Sequence, residues 1–262
     1  MDKTLRTAAT GLSAQQKYIE IISNNLSNIN TTGFKKSRPE FQDLLYETLK
    51  PAGNSTNSGA EPLNEVQIGS GTELTATKKI FLQGDIKSTE NPLDMSINGE
   101  GFFVLRRPDN SFVYTRDGSF QLNRNGQVVN SQGYFLEPGL TIPNDAVQIN
   151  ISRDGVVSIL SDGSADEQTL GQIELARFIN PGGLRSLGSN LFTESPASGV
   201  PLLEIPGAIN TGELIQAHLE SSNVDIVEEM VNMINAQRAY ELNSKSVRTA
   251  DDILATAVNL KR

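Results

Sequence analysis

The strongest constraint on this chain is a seven-residue apolar repeat at each of its two ends. Near the N-terminus, Leu5, Leu12, Ile19 and Leu26 form one row, and Ala8, Gln15, Ile22 and Ile29 form a second. Spacings that alternate between three and four put both rows on one stripe of a helix, so residues 1–32 are expected to be helical. A heptad held along the whole zone is the seam of a coiled coil more than the core face of an ordinary surface helix. Gly11 interrupts the pattern. An interior Gly costs ~1 kcal/mol relative to Ala, so it marks a place where another helix comes close. The run closes at Gly33, the expected C-cap.

The other end repeats the arrangement. Ile226, Met233, Tyr240, Val247 and Leu254 stand seven apart, flanked by Met230, Ala236, Ala250, Ala257 and Val258. Residues 223–262 contain neither Gly nor Pro. Ser222 or Asn223 can cap the start, Asp225, Glu228 and Glu229 suit the positive end of the dipole, and Lys261 and Arg262 suit the negative end. At 1.5 Å per residue the first helix reaches ~40 Å and the last ~55 Å. Both carry apolar residues off the seam: Tyr18 and Ile21 on the first, Val227, Val231, Ile234 and Ile253 on the last. A helix that is apolar on more than one face needs neighbours on more than one side. The expectation is that these ends order themselves against other subunits. On patterning alone, a plain α+β enzyme whose terminal helices pack on its own sheet fits as well.

Between the helices the period changes to two. Asn98-Gly99, Asp117-Gly118, Asn125-Gly126, Asp154-Gly155 and Asp162-Gly163 are dipeptides of hairpin type. They predict strands at Leu93–Ile97, Phe102–Arg106, Phe112–Thr115, Ser119–Asn123, Gln127–Asn130, Val147–Ile151, Val156–Leu160 and Leu170–Phe178. Short strands at this density read as an antiparallel sandwich or partly closed barrel. Apolar residues make up only 37% and Trp is absent, which argues against a single large core. The stretch Lys50-Pro51-Ala52-Gly53-Asn54-Ser55-Thr56-Asn57-Ser58-Gly59 has almost no apolar content and alone would be a flexible loop.

Charge and composition remove several functions. A net charge of −9 without a basic cluster disfavours binding to nucleic acid or to anionic lipid. The absence of Cys excludes disulfides, thiolate zinc sites and a Cys nucleophile, and leaves the compartment open. Met1 to Ala14 lacks the apolar run of a secretory signal peptide, and no stretch of ~18 apolar residues offers a membrane span. His218 is the only histidine, with Glu213 and Glu220 near it in sequence, too little for a metal site. Of Asp94, Asp117, Asp154 and Asp162, three precede Gly and read as turn residues rather than acid–base groups. Gly99-Glu100-Gly101 lacks the Lys-Ser/Thr of a phosphate loop, and Arg153-Asp154-Gly155 reads as a hairpin tip rather than an adhesion motif. No catalytic constellation, cofactor site or metal site is expected.

Two longer motifs carry a resemblance. Ser23-Asn24-Asn25-Leu26-Ser27-Asn28-Ile29-Asn30-Thr31-Thr32-Gly33-Phe34-Lys35 resembles the N-terminal signature of the bacterial flagellar basal-body rod and hook family. Ser222-Asn223-Val224-Asp225-Ile226-Val227-Glu228-Glu229-Met230, continued by Asn235-Ala236-Gln237-Arg238-Ala239-Tyr240-Glu241, resembles its C-terminal signature. Gly99-Glu100-Gly101-Phe102-Phe103, Tyr114 to Phe120, Arg153 to Val157 and Asp43-Leu44-Leu45-Tyr46 are similar to the distal rod branch, with a proximal rod or hook-type axial protein as the alternative.

The resemblance implies an α+β chain. Paired coiled-coil-like helices, residues 1–32 and 221–262, would form an inner polymerisation domain. A linker, 33–80, would carry an extended loop or hairpin insertion at 46–71, and 81–220 would form an outer antiparallel β domain. It implies helical self-polymerisation into a hollow, rigid drive shaft, with Leu5, Leu12, Ile19, Ile22, Leu26, Ile226, Met230, Met233, Tyr240, Val247 and Leu254 as the seam. Asn24, Asn25, Leu26, Asn28, Gly33, Phe34, Asn223 and Val224 are its signature positions, the asparagines expected to bond across subunits. Tyr46, Lys50, Pro51, Pro62, Gly69 and Gly71 mark the stiffening insertion. The implied partners are other copies, proximal rod proteins, hook protein, the P-ring and L-ring bushing proteins, a rod-cap muramidase and the flagellar type III export apparatus, in a rod that spans the periplasm.

Overall fold

The computed structural model describes residues 2–50, 65–143, 145–161 and 166–259, and these divide into two compact units. Residues 1–26, 37–78 and 225–262 make up the first, and 27–36 with 79–224 the second. The segment expected to be a separate linker, 33–80, is therefore mostly part of the helical unit. Asp162-Gly163, Pro51 and Pro62 lie outside the described residues.

The first unit holds two helices, α1 (Asp2–Ser27) and α2 (Ile226–Asn259). α1 ends before residue 32 and α2 begins after residue 223, the bounds their sequence pattern suggested. At the start of α2 the cap is Asp225, not Ser222 or Asn223. Its Oδ1 accepts from the Val227 and Glu228 amides at 2.8 and 3.1 Å, which satisfies donors that the first helical turn leaves orphaned. Gly33 does take a left-handed φ of 65°, but α1 has ended by then. The unit also contains a β-ribbon. Ser37–Asp43 pairs with Thr72–Lys79, and Tyr46–Lys50 pairs with Val66–Gly69. The Leu44 amide to the Gly71 carbonyl (2.8 Å) and the Ser70 amide to the Leu45 carbonyl (3.2 Å) carry the ladder across the gap. The stretch expected to be a flexible loop, residues 50–59, lies beyond Lys50 outside the described residues, and the segments that flank it, Tyr46–Lys50 and Val66–Gly69, are paired strands.

The second unit is antiparallel β. Its largest sheet, of nine strands, runs from Arg185–Gly188 through Leu191–Thr193, Phe112–Thr115 and Phe102–Arg106. On the far side of Phe102–Arg106 lie Phe135–Leu136, Val128–Asn130 and Phe120–Leu122, and also Leu175–Arg177 followed by Leu202–Glu204. Alternation along Phe102–Arg106 sends Phe103 and Leu105 into one core and Phe102 and Val104 into another. The first core is large and continuous, drawing on Met95, Ile97, Phe120, Leu136, Ile159, Ile173 and Leu214, so the lean composition understated it. The second is small and aromatic, with Phe102 and Phe178 edge to face at 5.7 Å.

The sequence reading of Leu170–Phe178 as one strand does not hold. Gln168–Gln172 belongs to a three-stranded sheet with Ala146–Ile151 and Val156–Ser161, whereas Leu175–Arg177 joins the nine-stranded sheet. Between them Ile173 is fully buried and its amide bonds the Gly155 carbonyl at 2.8 Å, which makes it the corner where the chain changes sheets.

Candidate assembly site

In the first unit, α1 has a partner along each of two faces. Asn25 Nδ2 lies 3.4 Å from Glu229 Oε2 in buried surroundings. Gly11 faces Asn243, and a Cβ on Gly11 would sit 3.0 Å from the Asn243 amide nitrogen. These two contacts are equally far apart on both helices and run in opposite directions, so α1 and α2 are antiparallel. Gly11 marks a close approach by another helix, the role its position in the heptad suggested.

The second partner is the ribbon. Asn25 grips its first residue in both directions, donating to the Ser37 carbonyl and accepting from the Ser37 amide, each at 2.9 Å. Tyr18 and Phe41 meet edge to face at 6.3 Å. The Thr10 hydroxyl lies 3.4 Å from the Thr72 amide and blocks any side chain at Gly71, where φ is 119°. Lys3 and Glu47 form an exposed ion pair. The ribbon thus follows α1 from its last turn to its first. Burial raises the Tyr18 phenol pKa above its ordinary value, and the Glu229 and Glu228 carboxylates add to the effect.

The expected seam residues divide. On α1, Ile22 is fully buried, and Leu5, Leu12, Ile19 and Leu26 are half-buried. On α2, Met233 and Val247 are half-buried, but Ile226, Met230 and Tyr240 are exposed, and the Leu254 side chain lies outside the described residues. The row that α2 turns inward is Glu229, Ala236, Asn243 and Ala250, a heptad of small and polar residues. Packing within one chain therefore half-covers Met233 and Val247 but leaves much of the apolar surface of α2 outside: Val227 is 71% exposed, Val231 50% and Ile234 49%.

The signatures meet as well. In the second unit the Gly33 amide donates to the Glu220 carbonyl at 2.8 Å, and the Lys36 amide donates to Asn223 Oδ1 at 2.7 Å. Asn223 Nδ2 reaches the Ile80 and Leu82 carbonyls. Phe34 and Val224 are buried, and the Lys79 ammonium sits 4.9 Å from the centre of the Phe34 ring. Beneath them is a group that motif reading missed. Lys35 Nζ lies 2.6 Å from Glu220 Oε1 and donates to the Leu82 carbonyl, and Arg116 Nη1 lies 3.6 Å from Glu220 Oε2. Burial pushes the Lys35 ammonium pKa down, with the Glu220 carboxylate opposing it and Arg116 adding to it. Burial likewise lowers the Arg116 guanidinium. The sequence signals were Lys35 at the end of the first signature and Arg116 within the Tyr114–Phe120 motif, with nothing local to join either to Glu220.

Of the signature asparagines, Asn25 is buried and bonded within its own chain, Asn24 is exposed and Asn28 accepts from the Thr31 hydroxyl at 3.2 Å. Among the insertion positions, Tyr46 and Lys50 are exposed, Gly69 lies opposite Tyr46 in the ladder, and Gly71 lies against Thr10. His218 Nδ1 lies 2.7 Å from the Gln216 carbonyl. Among the described residues no cluster of acidic and histidine side chains suits a metal, and no helix is long and apolar enough to cross a membrane.

The two terminal helices share one unit, and a β unit is inserted between them in sequence; comparison with known proteins gives the class, that of the flagellar rod and hook proteins. Residues 5–35 match the family "Flagella basal body rod protein", 96–159 the "Flagellar hook protein FlgE/F/G D1 domain" and 215–260 the "Flagellar basal body rod FlgEFG protein C-terminal". The chain is 50% identical to the flagellar basal-body rod protein FlgG of Borreliella burgdorferi, over 100% of both chains. It is 46% identical to that of Caulobacter vibrioides, over 99% of both, and 38% identical to that of Bacillus subtilis, over 100% of both. The chain belongs to the FlgG family of flagellar basal-body rod proteins.

Proposed function

We propose that this chain is a structural, non-enzymatic subunit of the distal flagellar rod that polymerises helically into a hollow shaft. The observation that carries this reading is the outward apolar face of α2. Ile226, Val227, Met230, Val231 and Ile234 remain exposed after the chain has made its own contacts, and a helix so patterned calls for a neighbour. In the assembly α1 and α2 form the layer around the export channel through a coiled-coil-like seam shared between copies, and the ribbon that ends in the 46–71 insertion stiffens the stack. The β unit presents the surface that turns inside the P- and L-ring bushings. Proximal rod proteins, hook protein and a rod-cap muramidase are the further partners, and the flagellar type III apparatus the export route; these follow from the resemblance.

Electron microscopy of the concentrated protein tests the reading. Wild-type chain is expected to form tubes with a lumen, and Val231→Glu with Ile234→Glu is expected to abolish them without unfolding the β unit. A wild-type chain that stays monomeric at every concentration overturns it.

A further inference from the structure

The second unit carries a groove of about 320 Å³ on the face of the small aromatic core. Buried Val104 and Tyr114 lie at its base, and Phe112 and Leu203, 50% and 55% exposed, at its sides. Two carboxylates line it. Arg106 Nε holds Glu137 at 2.9 Å, but Glu174 is exposed and has no ion-pair partner among the described residues. An apolar groove with a spare carboxylate fits an apolar side chain next to a cation.

The same sheet offers such a pair at its Arg185–Gly188 edge. Arg185–Gly188 pairs only with Leu191–Thr193 among the described residues, and all four of its residues are exposed. Leu187 is the unpaired residue of a bulge between the pairs Ser186↔Phe192 and Gly188↔Leu191, a device that turns a side chain outward. Arg185 stands two residues away without an ion-pair partner among the described residues, and a strand rise of ~3.3 Å per residue keeps the two within ~7 Å.

We infer that the groove receives the Arg185–Gly188 edge of a second copy of this chain, with Leu187 in the apolar trough and Arg185 on Glu174. Groove and edge are different patches of one chain, so the contact is heterologous and can propagate from copy to copy. The inference rests on the polymer reading and adds a contact between β units to it.

Two experiments test it on the full chain. Glu174→Arg and Arg185→Glu, both at exposed positions, are each expected to raise the critical concentration for assembly at least tenfold, and the two combined to restore it. The chain has no Cys, so a mixture of Leu187→Cys and Leu203→Cys proteins is expected to form oxidised dimers that neither forms alone. Tubes that form normally with either charge reversal, or without the mixed crosslink, overturn this contact and leave the polymer reading standing. Loss of assembly with Arg124→Glu but not Arg185→Glu overturns it in favour of the Leu122–Arg124 hairpin as occupant. A wild type that never polymerises overturns both readings.

Discussion

Lys35 and Glu220, 185 positions apart, meet at 2.6 Å with both side chains fully buried. Glu220 also accepts from the Gly84 amide at 2.9 Å. Its carboxylate is therefore shared by Lys35, Arg116 and one backbone amide, and it ties the chain's entry into the β unit to its exit. Glu220→Ala strands two buried cations and is expected to cost about 3–5 kcal/mol, measured by chemical denaturation of the purified chain. A loss below 1 kcal/mol would mean that water already compensates the cluster.

Gly33 and Gly11 are expected to respond oppositely to Ala. At Gly33 a Cβ would lie 2.6 Å from the Arg116 carbonyl carbon, at a φ of 65°. Left-handed backbone and an immovable neighbour add up, so Gly33→Ala should cost about 2 kcal/mol or more. At Gly11 the obstacle is the movable end of Asn243. Gly11→Ala should change stability by less than about 1 kcal/mol, because gained helix propensity offsets the shift, whereas Gly11→Leu should separate the helices. Thermal melts followed by circular dichroism distinguish these cases.

The neighbouring asparagines of the first signature separate in the same way. Asn25 is 2% exposed and bonds both α2 and the ribbon. Asn25→Ala leaves the Ser37 amide short of its acceptor and should cost about 1–3 kcal/mol. Asn24→Ala, on the exposed side, should stay within about 0.5 kcal/mol. Any effect of Asn24→Ala on tube formation at unchanged stability would locate a contact between subunits.

Tyr114 sets an alkaline limit. Burial, with the Glu194 carboxylate adding to it, pushes its phenol up to about 12 from an ordinary 10.0. A folded value above the unfolded one means a contribution fully present below pH 10 and lost as pH rises through about 12. The loss should be about 2–3 kcal/mol. Tyr114→Phe should remove that part of the alkaline decline, read from urea midpoints at pH 9 and 12. An ordinary titration of all tyrosines in the absorbance at 295 nm would contradict the burial argument.

Amide exchange should grade the helices. In dilute protein α1, clasped by the ribbon through Asn25, Tyr18 and Thr10, should be the better protected. α2, held through Glu229, Ala236 and Asn243, should exchange fast beyond Tyr240 until assembly covers it. Equal, strong protection across residues 226–254 in the monomer would mean that α2 needs no neighbour.

Local periodicity made much of this legible. The heptads predict both helices, and the strands at Phe102–Arg106 and Phe112–Thr115 emerge with their expected bounds. Asn125-Gly126 and Asp154-Gly155 do connect paired strands, with φ of 75° and 83° at the glycines. Asp117-Gly118 does not. There Gly118 is required because a Cβ would strike the Met95 carbonyl, a long-range constraint that a dipeptide cannot reveal.

The sequence by itself determined where the chain is helical, where it turns and to which family it belongs, because periodicity, turn chemistry and signature motifs are all written in neighbouring residues. Only the tertiary structure decided which stripe of α2 is spent inside the chain. Of the heptad Ile226, Met233, Tyr240 and Val247, only Met233 and Val247 are half-buried, and beside them the row that turns inward is Glu229, Ala236, Asn243 and Ala250. Two helices in close contact at Gly11 have room between them for small and polar side chains, so Ile226, Met230 and Tyr240 remain outside, where a neighbouring subunit can cover them. The joining of Lys35 to Glu220, and of Asn25 to both Ser37 and Glu229, was likewise decided by the fold, since burial and long-range pairing have no local period to betray them.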